Sequence, residues 1–105
     1  MYQRDKKRIF FVPVPNVLWI ETTGNYACIH TASDHHLLRE TMAHLEEKLA
    51  PYHFIRVRKS AIVNSARISE IRPMFDGVYD IELAEGTVVT SSRRYAHKLR
   101  ALLES

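Results

Sequence analysis

Short apolar segments of alternating pattern, each closed by turn-forming residues, most constrain the fold of this chain. Alternation of apolar and polar residues is typical of a strand with one buried face. Pairs such as Gly24-Asn25, Asp76-Gly77 and Glu85-Gly86 separate neighbouring segments in the manner of hairpin turns. The predicted strands are Ile9–Val12, Val17–Thr23, Tyr26–Thr31, His36–Glu40, Phe54–Arg58, Ala61–Val63, Ile68–Ile71, Val78–Leu83 and Thr87–Thr90. The pattern therefore predicts a mainly β, antiparallel domain.

Two stretches follow helical spacing instead. In the first, Thr41 is a suitable N-cap, Met42, Leu45 and Leu49 recur at i, i+3 and i+7, and Pro51 ends the helix. In the second, Ser92 is the predicted N-cap of a C-terminal helix. Its predicted buried stripe consists of Tyr95, Leu99, Leu102 and Leu103. We thus expect two short helices among the strands.

The length of 105 residues fits one domain. We expect residues 9–105 to form it, with residues 1–8 as the end of a linker or a start added in cloning. The single cysteine, Cys28, excludes an internal disulfide and fits a reducing compartment. The charged start is unlike a signal peptide, and no apolar run approaches the roughly 18–20 residues of a membrane span. We therefore expect a cytoplasmic protein with no membrane contact.

Basic and acidic residues are segregated along the chain, although its net charge is only +3. No acid lies between Lys48 and Ser69 or between Gly86 and Leu103, and each stretch carries four or more cations. Such segregation favours one positive face that attracts a polyanion, although a merely solvated basic face would give the same pattern.

Arg93 and Arg94 fall in the predicted first turn of the last helix, where unpaired N–H groups favour negative charge. A bound phosphate would resolve this conflict, because the N–H groups and both guanidinium groups would then act together. The stretch Arg56–Ser60, with Asn64 after it, also holds the residue types that contact phosphates and base edges. A turn or bulge near Lys59-Ser60 would decide which way Lys59 faces.

Five segments in the correct order carry a family resemblance that covers about Ile9 to Leu103. They are Val17–Tyr26, Arg39–Met42 with Leu45, Leu49 and Pro51, Phe54–Asn64, Ile68–Ile71, and Leu83–Gly86 with Ser91–Tyr95. The chain resembles the LytTR (LytR/AlgR-type) DNA-binding domain, the output module of many bacterial response regulators. The resemblance implies an elongated arrangement of small antiparallel sheets with two short helices. It also implies sequence-specific binding of double-stranded DNA through loops that enter successive major grooves.

Carried over by position, the resemblance places three segments against DNA. The predicted DNA-binding residues are Asn25, Ala27, Arg58, Lys59, Ser60, Asn64, Ser92, Arg93 and Arg94. Arg58 stands where family members often carry histidine, and Ala27 offers only a methyl group for contact with thymine. Tyr26 is expected to be a core aromatic. The implied partners are a phosphorylatable receiver or other sensory domain and a second copy of the chain on DNA.

Other classes of function are weaker on sequence grounds. Glu21, Cys28 and His30 form no recognised nucleophile or acid–base motif, so we expect no enzyme activity. The spacing of the histidines, His35-His36 included, matches no structural zinc site, so no metal and no cofactor are expected. A protein-interaction or dimerisation module remains the alternative. Salt separates the two, because DNA binding weakens steeply as salt rises and an apolar contact does not.

Overall fold

The computed structural model describes residues 2–4 and 9–104. Within them the chain forms ten strands and two α-helices, joined in places by single 3₁₀ turns. The elements are β1 Tyr2–Arg4, β2 Ile9–Phe11, β3 Val17–Thr23, β4 Tyr26–Thr31, β5 His35–Leu38, α1 Met42–Leu49, β6 Phe54–Arg58, β7 Ala61–Asn64, β8 Ile68–Pro73, β9 Tyr79–Leu83, β10 Val88–Thr90 and α2 Ala96–Glu104.

The strands form three small antiparallel sheets. The largest has the order β5-β4-β3-β7-β6, the second is β10-β9-β8, and β1 pairs with β2. The molecule measures 46 × 23 × 23 Å, so it is twice as long as it is wide. The predicted fold class, an elongated set of small antiparallel sheets with two helices, is confirmed.

Both faces of the five-stranded sheet are packed, and β7 shows why. Ile62 belongs to a core cluster with α1, whereas its neighbours Ala61 and Val63 belong to a second cluster with β9, β10 and α2. Side chains alternate between the faces of a strand, so an apolar run such as β7 serves two cores at once. The sheet is the rigid layer from which the turns at its edge project.

Both helices form where the sequence predicts them, with differences at their ends. The Thr41 side chain accepts a hydrogen bond from the backbone N–H of His44 at 3.1 Å, as an N-cap does, and α1 buries its predicted stripe. The strand before it, β5, ends at Leu38 and not at Glu40. Glu40 directly precedes the cap residue Thr41, and its carboxylate contacts the His44 ring of α1 at 2.5 Å.

The predicted stripe of α2 is only partly correct. Leu99 is fully buried, but Leu102 and Leu103 are 41% and 52% exposed. The helix begins at Ala96, and Ala96 and Leu99 are its two buried residues. The second core cluster therefore contacts only the first half of α2. No helix among residues 2–4 and 9–104 is long and apolar enough to cross a membrane.

Candidate nucleic-acid interface

The three segments predicted to contact DNA lie together at one edge of the five-stranded sheet. The backbone N–H of Thr22, beside the β3–β4 turn, donates to the carbonyl of Ser60 at 2.9 Å. The N–H of Ser92 donates to the carbonyl of Val57, also at 2.9 Å. Main-chain bonds therefore tie the first and third segments to the middle one, on β6 and its turn.

The first segment is a two-residue hairpin turn. Thr23 pairs with Tyr26 across it, so Gly24 and Asn25 are its central residues. Gly24 has a φ of 58°, a left-handed conformation that glycine adopts without strain. Asn25 is exposed at the tip, where its amide offers both donors and an acceptor. Tyr26 is 42% exposed, so the expectation of a core aromatic is wrong.

The second segment is the turn between β6 and β7, where a bulge lies between Arg56 and Arg58. Lys59 is exposed at this turn. Its carbonyl accepts two hydrogen bonds from the Arg56 guanidinium, at 2.7 Å and 3.2 Å. Because a bidentate bond holds the backbone of the turn, the turn has a defined shape before any ligand arrives.

Arg56 itself is anchored from two other elements. Its Nη1 donates to Oε1 of Glu46 on α1 at 3.2 Å, and its guanidinium lies 5.2 Å from the centre of the Tyr95 ring. Lys98 on α2 also contacts Glu46, at 2.5 Å. Burial alone would raise the pKa of Glu46, but the hydrogen bonds from Lys98 and Arg56 outweigh it, and the net pKa is lowered.

Arg58 extends from β6 towards β10 of the three-stranded sheet. Its Nη1 donates to the carbonyl of Thr90 at 3.3 Å. Its Nε is buried and has no hydrogen-bond partner among the described residues. Arg58 is therefore partly committed to the fold, whereas Lys59 beside it is exposed.

The third segment precedes α2 and does not form its first turn. Ser92 Oγ accepts from the N–H of Tyr95 at 3.2 Å, as predicted for a cap, but α2 begins only at Ala96, so Ser92 orders the turn that leads into the helix and is not its N-cap. Arg93 pairs with Asp76 at 2.8 Å, with both side chains about two-thirds exposed (67% and 66%). Arg94 is exposed beside it. The predicted conflict with the first turn of the helix does not arise, because Arg93 and Arg94 precede α2, and Asp76 gives Arg93 a partner of opposite charge.

The structure corrects two of the predicted contacts. Ala27 is 1% exposed and packs in the core cluster with α1, so its methyl group offers no surface to a thymine. Asn64 is 3% exposed. Its amide donates to the carbonyl of Val17 at 2.9 Å and accepts from the N–H of Ala66 at 3.1 Å. Both residues hold the fold, and neither is part of the exposed edge.

Two sets of residues remain after these corrections. Asn25, Lys59, Arg93 and Arg94 are exposed, with Ser60 and Ser92 half-buried beside them. Two acids near these segments, Glu46 and Asp76, are already paired with cations. The edge is therefore positive and rich in hydrogen-bond donors. We name these six residues and Arg58 the basic edge.

Comparison with known proteins identifies the family of this chain. The sequence profile of the LytTr DNA-binding domain matches residues 7–104, which is nearly the whole chain. The chain belongs to the LytTR family. This confirms the resemblance carried by the five sequence segments, and LytTR is a family defined by DNA binding and not by a catalysed reaction.

Curated relatives of this LytTR chain include a sensory transduction protein and a transcriptional regulator. It is 31% identical over 98 residues to the sensory transduction protein LytT of Bacillus cereus, with 93% of this chain and 40% of that protein covered. It is 33% identical over 94 residues to the CO-responsive transcriptional regulator RcoM of Rhodospirillum rubrum, with 89% and 40% covered. The chain thus spans about 40% of the length of these relatives.

The fold of the LytTR chain also matches a solved structure. A LytTr DNA-binding domain from Bacillus cereus superposes with a TM-score of 0.89 at 23% identity, covering 100% of this chain and 96% of that one.

Sequence reasoning misses one residue that shapes the edge. By sequence, Arg56 is only a cation beside Arg58. Its role as the anchor of the Lys59 turn depends on Glu46 and Tyr95, which no local pattern links to it.

Proposed function

We propose that this LytTR domain reads double-stranded DNA through the basic edge, with its turns in the major groove. Lys59 and Asn25 at the two turn tips contact base edges, and Arg93, Arg94 and Ser92 hold phosphates. Arg58 supports the second turn and contributes charge. Direct readout of this kind needs donor-bearing side chains on a rigid frame, because base edges are distinguished by donor and acceptor position.

One observation carries this proposal: main-chain hydrogen bonds join all three segments at one edge. The Glu85-Gly86 turn differs in charge and in place. It carries an acid, and it follows the Leu83 end of β9. The third segment is next to the opposite end of β9, because the carbonyl of Tyr79 accepts from the N–H of Ser91. Charge, exposure and connectivity therefore favour the basic edge.

We further propose that the domain is the output part of a bacterial transcription regulator and acts in the cytoplasm. Relatives named as sensory transduction or transcriptional regulatory proteins are more than twice as long as the matched region, which leaves room for a receiver or other sensory domain. A second copy of the domain binds an adjacent half-site, since one small domain reads few base pairs.

Salt dependence of binding to a duplex tests the DNA proposal. First, a site is selected from a random duplex pool with the wild-type chain. The expected slope of log K against log salt is about −0.9 for each bound phosphate. The double variant Lys59→Ala/Arg94→Ala should flatten this slope.

The matched control is Lys48→Ala/Arg72→Ala, which removes the same charge. Lys48 lies in the last turn of α1 and Arg72 on β8, where it is paired with Glu70 and Glu82. The control should keep nearly the wild-type affinity. Equal losses in the two double variants would mean that only net charge attracts DNA. Binding to no duplex at low salt would overturn the proposal in favour of a protein-interaction module.

A further inference from the structure

We infer that Glu21, Cys28 and His30 form a binding site for a divalent transition-metal ion of the zinc type. The three residues lie on two adjacent strands of the large sheet, β3 and β4. None of them belongs to the basic edge, so this inference does not depend on the proposed DNA contacts. It also revises the expectation that the histidines would bind no metal, because the partners of His30 are Glu21 and Cys28 and not the neighbouring histidines.

Strand register explains why these donors meet. Glu21 is directly opposite Cys28 in the β3–β4 pair, and His30 follows Cys28 by two residues on the same face of β4. The carboxylate oxygens of Glu21, Sγ of Cys28 and the ring nitrogens of His30 offer one ligand atom each, and these atoms all lie within 4.8 Å of one another. This is the one such group of three among residues 2–4 and 9–104.

The distances are close to those of a coordinated ion. Zinc binds sulfur at about 2.3 Å and nitrogen or oxygen at about 2.0–2.2 Å, so tetrahedral ligand atoms lie roughly 3.3–3.6 Å apart. Nε2 of His30 and Oε1 of Glu21 are 2.8 Å apart and hydrogen-bonded. Opening that bond slightly and drawing the remaining ligand atoms, which lie within 4.8 Å of one another, to this spacing would complete three ligand positions.

The surroundings orient the imidazole and leave a path for the ion. The indole of Trp19 stacks on the His30 ring, with centroids 4.7 Å apart and planes 11° from parallel. Cys28 is nearly buried, whereas the side chains of His30 and Glu21 are 26% and 34% exposed. An ion can therefore enter from the solvent side, and the fourth position is open to water. The His35 ring lies 6.2 Å from that of His30 and offers a further imidazole nearby.

The donor set selects the ion. One thiolate, one imidazole and one carboxylate suit zinc and its neighbours, whereas calcium and magnesium prefer oxygen ligands alone. Binding replaces the thiol proton of Cys28, which is released to solvent, by a bond from sulfur to the ion. An open fourth position and exposed entry are features of an exchangeable site and not of a closed structural one.

Cobalt(II) is the probe for the first experiment. The reduced chain is titrated with Co²⁺, and a thiolate-to-cobalt charge-transfer band in the near ultraviolet should appear together with the strong visible bands of tetrahedral cobalt. Because Cys28 is the only cysteine, the band reports this residue alone. Added Zn²⁺ should remove the cobalt spectrum, and the fluorescence of Trp19, the only tryptophan, should change in the same titration. No charge-transfer band at a large excess of cobalt would overturn the inference.

Three variants assign the ligands. Cys28→Ser and His30→Gln should each weaken zinc binding by more than about 10-fold. Loss of a residue that only hydrogen-bonds to a metal ligand already lowers metal affinity 10–100-fold, and loss of a ligand should cost at least as much. His44→Gln is the matched control, because His44 is an imidazole paired with a carboxylate, Glu40, on another surface. Equal weakening in all three variants would point to scattered surface histidines and overturn the site.

A further measurement covers the case in which Cys28→Ser does not fold. In the wild-type chain, Zn²⁺ should slow alkylation of Cys28 by a thiol reagent, and a chelator should restore the rate. An unchanged alkylation rate under saturating zinc would show that sulfur is not a ligand and would overturn the inference.

Discussion

At the residue scale, Lys59 and Arg58 are neighbours whose side chains differ in their contacts with the rest of the fold. Lys59 is exposed at a turn whose backbone is fixed by Arg56, whereas Arg58 already donates to Thr90. We predict that Lys59→Ala loses about 1–3 kcal/mol at the selected site and much less on unrelated duplex. Arg58→Ala should weaken both by a similar factor. Titration of both variants against selected and scrambled duplexes at one salt concentration checks this, and an equal loss for Lys59→Ala would assign it to phosphate.

The arginine pair before α2 gives a second prediction at this scale. Replacing Arg93 and Arg94 with alanine should weaken binding to any duplex and flatten the salt slope by about 0.9 for each phosphate that the variant no longer binds. The fold should stay intact, because the exposed Arg93–Asp76 pair contributes at most about 1 kcal/mol. Asp76→Asn should strengthen binding, because the carboxylate competes with phosphate for Arg93. Unchanged affinity in a folded double variant would contradict this placement.

At the scale of elements, the Arg56–Glu46 contact joins β6 to α1 and fixes the turn after β6. Arg56→Gln should lower the free energy of unfolding by roughly 2 kcal/mol, because it removes charged hydrogen bonds to Glu46 and to the Lys59 carbonyl. It should also lower the specificity ratio between selected and scrambled duplexes, since the turn loses its anchor. Denaturant unfolding and duplex titration measure the two effects separately. A destabilised variant with full specificity would show that Arg56 holds the fold but does not position Lys59.

The same network predicts a dependence of stability on pH. The pKa of Glu46 in the folded chain lies below its ordinary value of 4.5. The ionised Glu46 carboxylate therefore stabilises the folded state fully above pH 4.5, and this contribution is lost as the pH falls through the lower pKa of the folded chain. Glu46→Gln should therefore cost about 1 kcal/mol near neutral pH, and the difference from wild type should shrink towards zero in acid. Unfolding curves from pH 7 downwards check this. A difference that stays constant with pH would assign the loss to packing.

Elements are predictable from sequence where a local pattern determines them. The Thr41 cap, the α1 stripe and the Gly24-Asn25 turn follow from residues within a few positions of one another, and the structure contains all three. What depends on distant packing is not predictable in this way. Periodicity does not show which face of β4 is covered. The resemblance places Ala27 against DNA and Tyr26 is expected in the core, but Ala27 is buried and Tyr26 is exposed. It also makes Asn64 a DNA contact, although its amide bonds buried backbone groups. The convergence of the three turns at one edge follows only from the sheet order.

At the scale of the whole molecule, shape and size determine how the domain meets DNA. The long axis of 46 Å exceeds the roughly 34–36 Å of one helical turn but is shorter than two turns, so two copies that lie along the duplex fit side by side when their half-sites are centred two turns apart. A single small module buries about 600–1,000 Å² on DNA, which gives modest specificity. Two copies on adjacent half-sites therefore supply what one copy lacks.

The last prediction follows from this geometry. The free chain should sediment as a monomer at micromolar concentration. It should bind a duplex with one half-site weakly, and two half-sites placed a whole number of turns apart, at about 10.5 base pairs per turn, should bind two copies. Shifting one half-site by about five base pairs puts the copies on opposite faces and should abolish any cooperativity between them while leaving each single-site affinity unchanged. A stable dimer in the absence of DNA would mean that the second copy is recruited by protein contacts and not by the spacing of the sites.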